Sequence, residues 1–177
     1  MLTISSLRAQ RWAATGRRGA VAVLIAALAV AVGFGAAAAQ TGSYRVGDLT
    51  IEAPWARATP AGAKVGGGYL KIINNGTQPD RLLGGSLTGA SDVEVHEMSM
   101  SNNVMKMRHL KDGLEIKPGQ TIELKPGGYH LMLMGLREGL KQGASVKGSL
   151  NFQRAGTVEI EYAIAPIGAA SGGHMKH

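Results

Sequence analysis

The 177-residue chain contains no cysteine. That absence removes disulfides, zinc–thiolate centres, iron–sulfur clusters and thiol catalysis. It also removes the usual blue-copper electron-transfer site, which needs a Cys thiolate. Lipid attachment of the lipoprotein kind, which acylates a Cys, goes with them. Acid is missing from residues 1–19, which carry Arg8, Arg11, Arg17 and Arg18. Polar side chains are missing from Ala20 to Ala39, a run that closes on Ala37-Ala38-Ala39 before Gln40. A basic stretch, an apolar stretch and a small-residue cleavage pattern describe a secretory signal peptide over residues 1–39. An uncleaved anchor is the alternative, since the run is long enough to span a bilayer. Its second half is mostly Ala and Gly, which partition weakly into lipid, so cleavage is the reading adopted, with no stable membrane insertion afterwards. The expected compartment is the periplasm.

The basic excess is largely a property of that leader. Without its four arginines the balance is 15 basic against 12 acidic residues, about +3 instead of +7. No basic run remains, so nucleic acid is not an expected partner. An exported domain without cysteine forgoes the disulfides its compartment allows and must be held by its core.

Helical periodicity is absent too. Gly and Pro punctuate the chain at Gly66-Gly67-Gly68, Asn74-Asn75-Gly76, Gly84-Gly85, Lys117-Pro118-Gly119 and Lys125-Pro126-Gly127-Gly128. Short alternating runs lie between them, and these predict strands near 49–54, 68–74, 81–88, 92–98, 104–110, 121–124, 129–135, 145–153 and 157–164. Many short strands at this spacing predict an all-β sandwich or barrel with Greek-key connections. From Ala165 to Gly173 the composition turns to Ala, Pro, Gly and Ser, the signature of a flexible linker. The expected organisation is a signal peptide at 1–39, a β domain at 40–164 and a flexible tail at 165–177.

What the chain does have is methionine. Six of its eight methionines lie between positions 98 and 134: Met98, Met100, Met105, Met107, Met132 and Met134. Three of its five histidines, His96, His109 and His130, share that window or its edge. Met often fills irregular core gaps, but strands normally use β-branched residues for that work. Side chains two apart on a strand share a face. His96, Met98 and Met100 therefore align, as do Met105, Met107 and His109, and His130, Met132 and Met134. Thioether is soft and neutral and imidazole is borderline, so a mixed His/Met set selects Cu(I) over Zn²⁺, Mg²⁺ or Ca²⁺.

The sequence resembles the PCuAC-type periplasmic copper chaperones. The resemblance is carried by His96, ten residues, Met107, twenty-two residues and then His130-Leu131-Met132. The second gap is one residue longer than the family's spacing. The flanks that resemble the family are Ala53-Pro54-Trp55-Ala56-Arg57-Ala58-Thr59-Pro60, Gly67-Gly68-Tyr69-Leu70, Asp80-Arg81-Leu82-Leu83 and Lys125 to Met134. The resemblance implies a cupredoxin-like Greek-key β-sandwich that binds one Cu(I) through His96, Met107, His130 and Met132. It implies delivery of that copper to cytochrome c oxidase assembly, with a Sco-type thiol protein and an oxidase subunit as partners. Met98, Met100, Met105 and Met134 have no place in the motif and are read as packing, with a thioether transfer path as the alternative. His109 is read as a surface strand residue and Trp55 as core. Arg57, Asp80 and Arg81 are read as surface or turn ion partners. By the same resemblance, His174, Met175 and His177 in the tail are a secondary metal site, open to Cu(II).

A carrier moves its ion by ligand exchange and needs neither nucleophile nor general base, so no enzyme activity is expected. A copper oxygenase built on a histidine brace would need His as its first mature residue, and no His precedes position 96. A general copper buffer and a metal-free β-sandwich interaction module remain as alternatives.

Overall fold

A computed structural model describes residues 42–101 and 104–172. The predicted leader and His174, Met175 and His177 lie outside the described residues. Eleven strands follow in order: β1 (Ser43–Val46), β2 (Leu49–Arg57), β3 (Val65–Asn74), β4 (Asp80–Leu87), β5 (Asp92–Ser101), β6 (Val104–His109), β7 (Leu114–Ile116), β8 (Thr121–Leu124), β9 (Tyr129–Met134), β10 (Ser145–Phe152) and β11 (Gly156–Ala165). Among the described residues there is no helix.

Strands β2, β11, β10, β4, β5, β9 and β3 are hydrogen-bonded in that order, and a β2–β3 pairing closes the ring. Closure removes free sheet edges from the body of the domain. Only the β11–β2 pair is parallel. Strands β3 and β4 follow each other in the chain yet lie apart in the ring, the crossing that marks Greek-key connectivity. Four shorter strands hang on this ring: β1 on β2, β8 on β3, β7 on β4 and β6 on β5.

The interior follows from strand alternation. Leu49 and Ile51 of β2, Leu70 and Ile72 of β3, Val93 and Val95 of β5, Leu131 and Leu133 of β9, and Tyr162 and Ile164 of β11 are all buried in one cluster. Because Val93, Val95, Leu131 and Leu133 point inward, the residues between and beyond them must lie on the outer surface of the β5–β9 pair. The Tyr162 hydroxyl has no hydrogen-bond partner, and burial pushes its ionisation far above the ordinary tyrosine range.

Several sequence expectations change in register. Gly66-Gly67-Gly68, read as punctuation, lies inside β3. A Cβ at Gly66 would press on Leu136 at 3.4 Å, one at Gly68 on Leu131 at 3.4 Å, and one at Gly67 on the Tyr69 hydroxyl at 2.6 Å. These glycines allow close packing of β3 and do not end it. Strand β2 also runs on past its expected end, because a bulge at Ala53, φ 47°, re-aims it. Strands β1 and β7 add to the strands expected from the sequence.

Asp80 is buried and is not a surface ion partner. Its carboxylate accepts backbone N–H bonds from Arg81 (2.7 Å), Arg154 (2.9 Å) and Ala155 (2.9 Å), tying the start of β4 to the β10–β11 turn. Arg81 does pair with Glu115, at 3.2 Å. Arg57 instead donates from Nε to the Ala169 carbonyl at 2.8 Å. That bond holds the first part of the expected linker against the domain. Gly172 lies against the Trp55 ring.

Leu131 is fully buried directly beneath the outer face of β9. Leu131→Ala is expected to lower unfolding free energy by about 2–5 kcal/mol, through lost burial plus a residual cavity. Urea melts of the two proteins measure it, and a change under about 1 kcal/mol would contradict the full burial of Leu131.

Candidate metal centre

The cross-strand register sets the site. His96 of β5 lies opposite His109 of β6 on one side and opposite His130 of β9 on the other. Met98 pairs with Met107 and Met100 with Met105 across the β5–β6 hairpin. On the other side Glu94 pairs with Met132 and Asp92 with Met134. Directly opposed residues share a face. Three imidazoles and six thioethers therefore occupy one outer surface, with the sulfurs on both sides of the histidine row.

The rings are close. His96 and His109 stack with centroids 5.0 Å apart and planes 2° from parallel. His96 and His130 lie 5.8 Å apart at 42°. His130 is 7% exposed, and its Nδ1 is 3.0 Å from the Gly128 carbonyl oxygen. A carbonyl only accepts, so Nδ1 carries the proton and donates it, leaving Nε2 with the free lone pair. Such a bond to the far nitrogen is the usual way of orienting a metal-binding imidazole. His96 Nε2 lies 2.7 Å from a Glu94 oxygen, which as a carboxylate likewise only accepts. His96 Nδ1 is buried and has no hydrogen-bond partner. An unpartnered buried nitrogen is costly unless something else takes its lone pair. Glu94 is held below the usual carboxyl range, first by the His96 hydrogen bond, opposed next by burial, with the nearby His109 and His96 rings adding the smallest lowering effects.

Of the four residues nominated by the sequence, His96 and His130 are direct neighbours. Met132 and Met107 are each one pair removed from His96, on opposite diagonals. Diagonal neighbours lie about 7–8 Å apart at Cα, within reach of a long side chain. Met107 is 49% exposed on the outlying strand β6, while Met132 is half-buried. The sequence motif leaves out Met98, yet the register sets it beside Met107 and on the diagonal from His130, and Met98 donates its backbone N–H to Gly128. Sequence reasoning also left out Glu94 and made His109 an ordinary surface residue. The i, i+2 spacing of Glu94 and His96 was the available signal. Met134 shares the outer face at the far end of β9.

Trp55 is buried, but against Tyr69 on the outer side of the sheet and outside the main core cluster, with ring centroids 4.3 Å apart. The Arg57 guanidinium sits over the same Tyr69 ring at 5.7 Å. A cleft of about 560 Å³ lies elsewhere, between Leu136–Lys141 and Ala144–Lys147, and no His or Met lines it.

Comparison with known proteins agrees with this geometry. Residues 49–164 match the LpqE-like family, described as "Putative lipoprotein LpqE-like". A Leifsonia xyli subsp. xyli protein named "Putative lipoprotein Lxx21020" is 29% identical over 135 residues, 76% of this chain and 80% of that protein. The apo PCuAC domain from PmoF1 is 30% identical with a TM-score of 0.60, over 71% of this chain and 99% of that domain. The solution structure of Cu(I)-DR1885 from Deinococcus radiodurans is 25% identical with a TM-score of 0.51, over 72% and 83%. The neighbouring PCuAC domains share the cupredoxin-like fold expected for this chain.

The hairpin that carries Met107 and His109 is held on its other face by charge. Arg108 donates to Glu97 at 2.6 Å, and chiefly this bond keeps Glu97 below the usual carboxyl range, opposed next by burial and supported to a lesser degree by the charge of Arg108. A carboxyl lowered in the folded state contributes stability that is present above its ordinary value near 4.3 and fades as pH falls through the lowered one. Amide protection of β6 should therefore drop between about pH 5 and pH 3 more than that of β3. Glu97→Gln should reduce β6 protection at pH 6 and flatten this pH response. Hydrogen exchange followed by NMR measures both, and identical β3 and β6 profiles would contradict the argument.

Proposed function

Because the chain belongs to the LpqE-like family and its β domain is a PCuAC-type domain, we propose that it is an exported copper(I) carrier. The observation that carries this reading is the outer-face row of His96 and His130 flanked by Met107 and Met132. A neutral His₂Met₂ set suits a soft monovalent ion and leaves only its single positive charge to be compensated. Met132 and His130 are half-buried and buried, whereas Met107 is exposed, so the ion would be held on one side and open on the other. That asymmetry favours hand-over by ligand exchange, with no covalent step and hence no enzyme activity. Met100 (68% exposed) and Met105 (56% exposed) extend the thioether surface along the hairpin, away from the histidine row. They form a natural contact for an acceptor with soft sulfur ligands.

The family resemblance names cytochrome c oxidase assembly, with a Sco-type thiol protein, as the destination. Export follows from the leader-like residues 1–39 and accords with the lipoprotein names of the relatives. Acylation itself cannot apply to these 177 residues, which hold no Cys.

Anaerobic titration against a chromophoric Cu(I) chelator should give one tight site. His130→Ala and Met132→Leu should each weaken it by at least about tenfold, in keeping with the loss of one ligand of four. X-ray absorption of the Cu(I) protein should show nitrogen and sulfur scatterers together. A shell of nitrogen and oxygen alone would overturn the His₂Met₂ assignment.

His174, Met175 and His177 are proposed as a separate, weaker site for Cu(II), since ordering a terminal segment costs conformational entropy. Ending the chain after Gly172, which keeps the Arg57–Ala169 bond, should reduce Cu(II) uptake and leave Cu(I) affinity unchanged. Loss of Cu(I) binding on this truncation would make the tail a ligand of the main site.

A further inference from the structure

We propose that Glu94, His96 and His109 form a second metal site, for a borderline divalent cation of the Zn²⁺ or Cu²⁺ class, which excludes Cu(I) from the neighbouring thioether site by competing for His96. Binding at the three donors is argued independently of the copper(I) reading; the exclusion rests on it.

One donor from each side chain lies within 4.8 Å of the other two. Glu94 Oε2 is 2.7 Å from His96 Nε2 and 3.6 Å from His109 Nδ1. A tetrahedral cation with bonds near 2.0–2.1 Å holds its donors roughly 3.3–3.5 Å apart. The Glu94–His109 spacing already fits, and the Glu94–His96 hydrogen bond must open by less than about 1 Å. The backbone supports the arrangement. Glu94 and His96 are i and i+2 on β5, and His109 is the direct partner of His96 on β6. Two donors on one strand and one opposite are brought together by a register that the hairpin cannot shift without turning its face over. The His96 and His109 rings stack with centroids 5.0 Å apart, so a turn of one ring about its side-chain torsions brings its in-plane lone pair onto the ion held by the other.

The donor set is chemically distinct from the thioether site. It has one anionic oxygen and two imidazoles, and no sulfur. An anionic oxygen favours a divalent ion over Cu(I). Three protein ligands leave the fourth position to water, as at open zinc sites. On binding, the Nε2 proton now shared with Glu94 must leave His96, or pass to Nδ1. A neutral imidazole has one lone pair in the ring plane, so it ligates one ion at a time. His96 is the only residue common to the two sets, and its Nδ1 is the unpartnered atom. Filling one site therefore empties the other of its shared ligand.

Anaerobic Co²⁺ titration of the full chain reads the site through the intense visible bands of tetrahedral Co²⁺. Wild type should show them, and His109→Ala and the shape-conserving His109→Gln should each lose them or weaken Co²⁺ by at least about tenfold. Both variants should keep wild-type Cu(I) affinity. Met132→Leu should keep the Co²⁺ bands. One equivalent of Cu(I) added to the Co²⁺-loaded wild type should bleach them. Bands unchanged in both His109 variants would overturn the second site. Bands that persist alongside bound Cu(I) would overturn the exclusion. Undiminished Cu(I) binding by Met132→Leu would count against the copper(I) reading alone, because the His109 comparison does not depend on it.

Discussion

Burial of Val93, Val95, Leu131 and Leu133 decides which way every metal-capable side chain on β5 and β9 points. Alternation is strict in a paired strand, so an inward Val or Leu at one position forces its neighbour outward. A slip of one residue would send His96, His130 and Met132 into the core and bring Val95 and Leu131 to water. The apolar interior thus holds the functional face in register at no cost to the face itself. The outer residues are free to be chosen for chemistry because they are not needed for folding.

That separation explains how soft donor side chains can be both ordered and accessible. On β9 the imidazole of His130 is buried and oriented by the Gly128 carbonyl, although it lies on the outer side of the sheet. Strand β6 is exposed along its whole length and is bound to the domain through β5. The Glu97–Arg108 pair and the backbone ladder hold it, and methionines cover its other face. A thioether-bearing strand with one neighbour can move more readily than a strand inside the closed ring. For the proposed copper carrier this is a useful gradient, from a buried imidazole on β9 to an exposed thioether on the hairpin.

Glu94 and His109 complicate a purely soft surface. Glu94 contacts His96 along β5 and His109 stacks on it from β6, while His130 faces it from β9, so the central histidine adjoins both an oxygen–nitrogen set and a nitrogen–sulfur set. In the proposed pair of sites, the set that prevails would depend on the ion offered, since softness of the donors and softness of the metal are matched.

Much of this was legible in the sequence. The short alternating runs between Gly and Pro breaks pointed to an all-β domain, and the alternation of Leu with Met on β9 pointed to a His/Met surface. These features are local, and period-two patterning reports local facts well. The glycine run 66–68 misled because a glycine that ends a strand and one that admits a neighbour look alike until the neighbour is known. Asp80 looked like a surface ion partner because its partners, the amides of Arg154 and Ala155, are more than seventy residues away. The tertiary structure alone decided that β5 lies between β6 and β9. Only that order puts His109, His96 and His130 in one row. Strand order follows from how the ring closes around its core, and no run of residues along the chain records it.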